Sequence, residues 1–322
     1  MRTHARQLLI LAAAASLAPA LADDSVEIRR VESRLEQLQE QFGPYSPALS
    51  EPTAELGSML IRSGAHADAR KAFRRAMHIE RVNAGLYTPS QLPFLDMAIE
   101  SSVAARDWDQ VDDDFRYLEW LNYRIHGQRD PALIEGLTRI INWHLAAIHL
   151  DRETEKGEHL LQLLKLGEHR AALAESHYGK GHPQHLEQVY QLALYLYYIH
   201  VAARPAGPVS EVLIEKLTSP IDQRRSYYLA QEQLTDDCYR KGRALLETGL
   251  EGARGTAAFG TEASAIALVY LADWELMFNH RNRAEKLYGQ AFAMLTADGA
   301  SAGALNALFG VPALLPEPRF GL

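Results

Sequence analysis

Histidines gather where two helix-compatible segments meet, and their imidazoles could ligate a metal ion. His177, His182 and His185 lie close together, and His144 and His149 precede them. Zinc sites need ligands that converge on one point, with a carboxylate or thiolate to complete the set. His144 and His149 are five residues apart, which places them on different faces of a helix. We therefore predict ordinary surface or core histidines, no metal site and no cofactor.

Other patterns that could support catalysis are weak. Cys238, the sole cysteine, follows Asp237, whose charge disfavours a thiolate. Residues 179–181 place a lysine between two glycines, but no strand precedes them as a phosphate-binding loop requires. The aspartates at 112–114 are consecutive, so on a helix they point in three directions and a solvated face is expected. The sequence also lacks Gly-x-Ser-x-Gly and His-Glu-x-x-His, and we predict that the chain is not an enzyme.

The elements that position these residues are predicted from a phrase that recurs along the chain. It runs from a glycine to a proline four residues later, at 43–47, 85–89, 127–131 and 179–183. Glycine permits the left-handed conformation that ends a helix, while Ser, Thr or Asp can cap the next helix and proline suits its first turn. The first three copies are 42 residues apart and the fourth follows after 52, an interval typical of a repeat array.

Between the phrases, apolar residues recur at helical spacing. An amphipathic N-terminal helix, interpreted as a cap, is indicated by Ile28, Val31, Leu35, Leu38 and Phe42. Helix pairs are predicted at 48–63 with 66–83, 89–105 with 108–125, 131–150 with 153–176, and 262–278 with 280–297. A fourth first helix runs from 183 to about 200, and a loop at 204–208, a short helix at 209–218 and a longer helix at 221–251 follow it. Asp107 is expected to cap the helix that begins at Trp108.

Small and aromatic residues recur at the spacing of a known repeat family. In the first pair they are Leu56, Gly57, Leu60, Gly64, Ala69, Phe73 and Ala76; in the second Val111, Phe115 and Leu118; in the last Leu271, Ala272, Ala284, Tyr288 and Ala291. Small residues let two helices approach closely, and the aromatic fills the gap beside them. The chain thus resembles the tetratricopeptide repeat (TPR) family, in the longer 42-residue variety found in kinesin light chains and many bacterial proteins. The resemblance implies an all-α solenoid of antiparallel helix pairs in a right-handed superhelix.

The resemblance also implies that a peptide or partner helix binds along a groove lined by the first helix of each pair. The matching positions are Glu51, Glu55, Ser58, Arg62, Asp96, Glu100, Glu135, Thr138, Arg139, Asn142, Glu187, Tyr190, Gln191, Tyr197 and Tyr198. One TPR subclass binds a C-terminal carboxylate, for which only Arg62, Arg139 and Asn142 qualify. Asp96 and Glu100 lie between them and would repel it, so a basic or aromatic partner is expected.

The N-terminal residues and the net charge of the chain indicate where in the cell the protein is located and which partners are excluded. Residues 1–22 have the charge, apolar run and small residues of a signal peptide cleaved after Ala22, which points to a bacterial periplasm. The net charge of −8 disfavours nucleic acid, and no later run is long enough for a transmembrane span. The other segments are a cap at 23–42, helix pairs at 43–203, a helical insertion at 204–259, a last pair at 260–298 and a proline-rich tail at 299–322.

These features predict a non-catalytic scaffold that binds a protein or peptide in the bacterial envelope. The alternative is a structural or self-associating subunit of a periplasmic or outer-membrane complex. A third hypothesis is an enzyme that uses the insertion at 204–259. The oligomeric state stays open. In the tail, residues 303–309 are predicted to form a short capping helix, and the segment after Gly310 to pack on the array, to dock on another protein or to fray.

Overall fold

The computed structural model describes residues 25–150, 152–255 and 260–297, and over these residues the chain is helical, with no strand. The predicted signal peptide and the predicted tail lie outside the described residues. The chain divides into two compact units, Met1–Gly127 and Gln128–Leu322. Within each unit, consecutive helices pack against one another as antiparallel pairs, which is the all-α solenoid arrangement expected from the sequence. Among the described helices, none is long and apolar enough to cross a membrane.

Over residues 25–127, the first unit has five α-helices joined by short turns. They are α1 (25–42), α2 (Ser50–Arg62), α3 (His66–Ala84), α4 (Leu92–Ala104) and α5 (Trp108–His126), and short 3₁₀ turns at Pro47–Leu49 and Pro89–Gln91 precede α2 and α4. Val31 and Leu35 of α1 join the core formed with Leu49, Met59 and Ile79. Phe42, predicted on the same face, is 54% exposed because α1 ends there.

The recurring phrase acts at helix junctions as predicted. Its glycine has a positive φ in all four copies. Ser46, Asp130 and His182 each accept a hydrogen bond from a backbone N–H two residues later, whereas Thr88 makes no such cap. Asp107 caps α5 by accepting from the backbone N–H of Gln110. His182 is therefore a helix cap, as its place in the phrase indicated.

The close helix crossing predicted at Gly57 is confirmed. A Cβ at this position would lie 2.6 Å from the Phe73 ring, so α2 and α3 approach there as closely as they do only because Gly57 has no side chain. Ala69, Phe73 and Ala76 are fully buried. At the equivalent positions of α5, Val111 and Leu118 are also fully buried, and the first two pairs share one packing scheme.

The aspartates at 112–114 differ from one another more than predicted. Asp113 is exposed and pairs with Arg116. Asp114 is only 2% exposed: it lies 2.5 Å from an Arg74 guanidinium nitrogen and accepts from Ser102 Oγ at 3.1 Å. The prediction of a solvated face was wrong for Asp114, because the second turn of α5 directs it between Arg74 of α3 and Ser102 of α4.

The part of the second unit that the structure describes has eight helices of less regular length. They are α6 (Leu133–Ala147), α7 (Glu153–Tyr178), α8 (Pro183–Ala203), α9 (Pro208–Leu217), α10 (Pro220–Arg225), α11 (Tyr227–Gly255), α12 (Gly260–Met277) and α13 (Arg281–Ala297). α11 packs along α8, so it serves as the second helix of the fourth pair, while α9 and α10 form the connection between them. The helix predicted at 221–251 is interrupted at Ser226, which is extended.

Two glycines allow the long α11 to fit against its neighbours. Gly181, with a φ of +83°, lies against the backbone of α11, where an added Cβ would come within 2.1 Å of Ala253 N. Gly242 lies against Trp274 of α12, and a Cβ there would be 2.3 Å from the indole ring. Both contacts connect segments that are far apart in the sequence.

Candidate functional site

The groove positions predicted in the first unit form a polar surface. Glu51, Glu55 and Arg62 on α2 are exposed, as is Glu100 on α4, and Asp96 is half-buried. Glu55 lies 3.9 Å from the Arg34 guanidinium, a weak exposed pair. Ser58 donates to the carbonyl of Ala54 within its own helix.

The predicted positions in the second unit differ in burial. Glu135, Arg139 and Asn142 on α6 and Glu187 on α8 are exposed. Thr138, Gln191, Tyr197 and Tyr198 are half-buried. Since half-buried side chains of two helices can line a concave surface, these four are the best candidates for ligand contact.

Tyr190, predicted to face the groove, is instead buried against α12. Its ring stacks on Tyr270 with centroids 4.2 Å apart, and its hydroxyl donates to Asp273 Oδ2 at 3.0 Å. Tyr288 also donates to Asp273. Burial raises the pKa of Tyr190 and that of Asp273. This network joins α8, α12 and α13, and we assign it a packing role.

An apolar pocket of about 480 Å³ opens in the second unit. Its lining comes from the end of α6, the start of α7, the end of α8 and the start of α9: Ile148, Lys156, Leu160, Tyr197, Tyr198, Val201, Ala202, Pro205 and Val209. On α8, Tyr197 with Val201 and Tyr198 with Ala202 are four residues apart and share a face. The pocket has the concave, mostly apolar character of a ligand site.

Two sequence features form the walls of this pocket. The loop predicted at 204–208 ends α8 and brings Pro205 and Val209 back over its last turn. Gly157 on α7 lets α9 approach, because a Cβ there would lie 3.0 Å from Val212. Burial raises the pKa of Tyr198 to about 12, so its hydroxyl stays protonated at neutral pH. Lys156 supplies a basic group to the otherwise apolar lining.

A buried arginine lies beneath the half-buried positions Thr138 and Gln191. Arg170 of α7 is 2% exposed; its guanidinium donates to Thr138 Oγ1 at 3.1 Å, to Tyr195 OH at 3.1 Å and to Gln191 Oε1. Gly167, one turn earlier, leaves room for Tyr195, since a Cβ there would be 2.8 Å from its ring. Arg170 thus ties α7 to α6 and α8.

A buried histidine pair also joins α6 to α7. His144 Nδ1 lies 2.8 Å from His159 Nδ1, so one imidazole donates to the other. Burial, reinforced by His159, lowers the pKa of His144 to about 3, and the ring is neutral at physiological pH. His149, predicted on another face of the same helix, lies beyond the end of α6 and is exposed.

The reactivity of Cys238 is low. It is 2% exposed on α11, and burial raises the pKa of its thiol to about 12, while Lys241 opposes this shift and Asp237 adds a smaller increase. A thiol that stays protonated is a poor nucleophile.

Of the residues that line the pocket, the sequence analysis named Tyr197 and Tyr198 but none from α7. Lys156, Leu160, Gly167 and Arg170 recur at intervals of about one or two turns, so they lie on one face. That face is apolar apart from its two basic residues. An arginine in an otherwise apolar helical stripe was the available signal for Arg170.

Comparisons with known proteins concern the fold. No protein-family model matches the chain, and neither does a curated protein. The chain is similar to crystallised TPR-like repeats of a Podosopora anserina protein of kinesin-light-chain type, at 13% identity and a TM-score of 0.44 over 80% of this chain and 99% of that chain. A variant of those repeats gives 13% identity and a TM-score of 0.45 over 79% and 98%. BtubC (BKLC) from P. vanneervenii gives 8% identity and a TM-score of 0.39 over 88% and 93%.

Proposed function

We propose that the chain is a non-catalytic scaffold that binds a peptide or protein segment at the apolar pocket of the second unit. The observation that supports this proposal is the position of Tyr197 and Tyr198. Both were predicted as ligand-facing from the repeat pattern, and both line the pocket. Apolar pockets of this size accept one large apolar side chain as an anchor.

The physical basis of binding is burial of apolar surface in a preformed site. Val201 is 47% exposed in the free protein although it lines the pocket, so a ligand would remove apolar area from water there. Helices packed on both sides hold the lining in place, which lowers the entropy lost on binding. The basic or aromatic preference expected from the sequence becomes, at this pocket, a preference for an apolar or aromatic anchor.

The test is selection of 12-residue peptides on the full chain, followed by affinity measurements with variants. Val201→Asp places a charge at the pocket without removing a core side chain, and binding of selected peptides should fall at least tenfold. The matched control is Val82→Asp on α3, where Val82 is 53% exposed in the first unit. If no peptide is enriched, or if both variants bind like the wild type, the proposed function is wrong.

A second candidate function is self-association or a fixed place in a larger assembly. Ile221, Tyr228 and Leu229 are 62%, 75% and 56% exposed, and they flank the break between α10 and α11. Exposed apolar residues grouped in this way are typical of protein interfaces. Sedimentation velocity over a hundredfold concentration range tests this candidate: oligomers should form in the wild type and dissociate in Tyr228→Ser/Leu229→Ser.

For the cellular setting we propose export to a bacterial envelope, supported by the signal-peptide pattern of residues 1–22. N-terminal sequencing of protein recovered from an extracytoplasmic fraction should begin at Asp23. Recovery of protein that retains residues 1–22 and stays in the cytoplasm would contradict the proposal.

A further inference from the structure

Arg170 is a buried cation whose charge is not balanced by its neighbours. Its three acceptors are a hydroxyl, an amide oxygen and a phenol oxygen, all of them neutral. Its Nε finds no hydrogen-bond partner among the described residues. Within the part of the chain that the structure describes, no carboxylate oxygen lies within 4.0 Å of the guanidinium. Burial of an unpaired charge costs free energy, which an anionic ligand would recover.

The other buried charged groups of the described residues are compensated. Asp114 pairs with Arg74. Glu275, which is 1% exposed, lies 3.2 Å from Arg243 Nε and 2.7 Å from His280 Nδ1, with Arg283 at 3.7 Å. Arg170 is therefore the exception. The lack of a compensating negative charge beside it, among the described residues, calls for a specific explanation.

Arg170 lies on the same helix faces as the apolar pocket. On α8, Gln191 and Tyr195 contact the guanidinium, and Tyr198, one turn after Tyr195, lines the pocket. Gln191 and Tyr198 are seven residues apart, which is about 10 Å along a helix. An extended peptide advances roughly 3.3 Å per residue, so three to five residues span this interval when side-chain reach is included.

Gln191 occupies the position that an acidic ligand would take. Its side-chain oxygen accepts from Arg170, as a carboxylate oxygen would, and its nitrogen faces Glu187 Oε1 at 3.4 Å. Gln191 is half-buried, so its side chain can turn outward and expose the guanidinium. A bidentate arginine–carboxylate contact is stronger than the neutral contact it replaces.

We propose that Arg170 binds the side-chain carboxylate of a glutamate or aspartate in the ligand, three to five residues from the apolar anchor in the pocket. This inference rests on the proposed function. A side-chain carboxylate on a flexible stem reaches a buried group more readily than the terminal carboxylate of a chain, which brings its own backbone and side chain with it. The residues involved differ from Arg62, Arg139 and Asn142, which the sequence analysis considered for a terminal carboxylate.

Charged groups around Arg170 modulate the preference for an acidic ligand. Glu187 is exposed and close to Gln191, so it opposes an acidic ligand, while the exposed Arg139 follows Thr138 on α6 and favours one. Both effects are screened by solvent and salt. Glu187→Gln should therefore strengthen binding of an acidic peptide a few-fold, and Glu251→Gln on α11 is the matched control.

The experiment uses an array of capped 12-residue Gly/Ser peptides, each with one phenylalanine and one glutamate separated by one to eight residues, in both orders. Each has a glutamine counterpart, and a further set carries the carboxylate only at an uncapped C-terminus. On the wild-type chain we expect a roughly tenfold preference for glutamate over glutamine at separations of three to five. Arg170→Gln should abolish this preference and keep the phenylalanine-dependent signal.

Gln191→Ala keeps the test decisive if Arg170→Gln does not fold. It leaves Arg170 in place and removes the competing amide, so the preference for glutamate should increase. Equal binding of glutamate and glutamine peptides to the wild type overturns the proposal and leaves Arg170 as a tie between helices. Stronger binding of the uncapped set also overturns it. If no peptide binds, whatever its charge, the proposed function itself fails.

Discussion

The two units differ in regularity, and the irregular one contains the pocket. In the first unit, α2 and α4 have 13 residues each and α3 and α5 have 19 each. Tyr45 packs edge-on against His78, and 42 residues later Tyr87 packs in the same way against Trp120. In the second unit, helix lengths range from 6 to 29 residues, and the pocket lies where α8, its following loop and α9 depart from the repeat. Regular stacking fills space, and a departure from it leaves a cavity.

The units also differ in their buried charges. The first contains the Asp114–Arg74 pair, in which the arginine reaches solvent and the acid is satisfied by three neighbours. Among the described residues, the second contains the compensated Glu275 and also Arg170, whose hydrogen-bond acceptors there are all neutral. A compensated pair is consistent with a purely structural role, whereas an uncompensated cation beside a pocket is consistent with ligand binding.

The largest expected effect is a loss of stability at Gly181, which we compare with Gly127 in another copy of the recurring phrase. Gly181→Ala should destabilise the second unit by about 3 kcal/mol or more, because the added methyl overlaps the α11 backbone and neither can move cheaply. Gly127→Ala, whose methyl meets nothing within 4 Å, should cost less, about 1–2 kcal/mol, for its positive φ. Denaturant unfolding of both variants measures the difference, and equal losses would mean that α11 does not pack on Gly181.

The next prediction concerns the crossing in the first unit. Gly57→Leu should destabilise it by about 1–3 kcal/mol, because the side chain overlaps the Phe73 ring, which can partly move aside. Hydrogen exchange should show the loss of protection in α2 and α3. Glu80→Gln is the control, since glutamine can still accept from Ser50 Oγ as Glu80 does. A wild-type melting temperature for Gly57→Leu would contradict the crossing.

Lowering the pH should destabilise the second unit, because His144 is held neutral in the folded chain. The folded pKa of about 3 lies below the ordinary value of 6.5, so the unfolded chain binds the proton first and stability falls as the pH drops below 6.5. Between neutral pH and about 5.5 this loss amounts to about 1 kcal/mol. His144→Asn should flatten the pH dependence of unfolding, and His149→Asn, at an exposed position, should not. Identical pH profiles for wild type and His144→Asn would exclude His144 as the source.

The smallest effect is expected from the acidic positions of the first unit. Asp96→Lys/Glu100→Lys should weaken capture of a lysine-rich peptide about threefold at low salt and less at physiological salt, because exposed charges are screened. Circular dichroism should remain unchanged. A loss as large as that expected from Val201→Asp would show that the first unit, and not the pocket, provides most of the binding energy.

Helix positions followed from the sequence wherever glycine and proline mark the ends. The bounds of α2 to α5 were predicted within about three residues because the recurring phrase supplies local stop and start signals. The break at Ser226 was missed because neither glycine nor proline stands there. Tyr190 was misplaced because its partner, Asp273, lies on a helix 83 residues away, and helix periodicity cannot identify a distant partner.

The candidate site was predictable only in part for the same reason. Thr138, Gln191, Tyr197 and Tyr198 became candidates through the resemblance to the repeat family, which depends on repeat register, a local property. The pocket itself depends on where α9 returns against α7, and this depends on Gly157 and Val212, residues with no periodic relation. The role of Arg170 depends on which acceptors three separate helices bring to it.

The pairing of α8 with α11 has a consequence for the rate of folding. In the first unit, each helix from α2 to α4 contacts the one that follows it after a short turn, so native contacts form between neighbours in sequence. In the second unit, α9 and α10 lie between α8 and α11 in the sequence, so α11 can pack on α8 only after they are in place. The Gly181–Ala253 contact spans 72 residues. Folding slows as contacting residues become more distant along the chain. During synthesis the first unit can therefore complete its contacts while the ribosome is still extending the second, whose long α8 surface stays uncovered until α11 emerges.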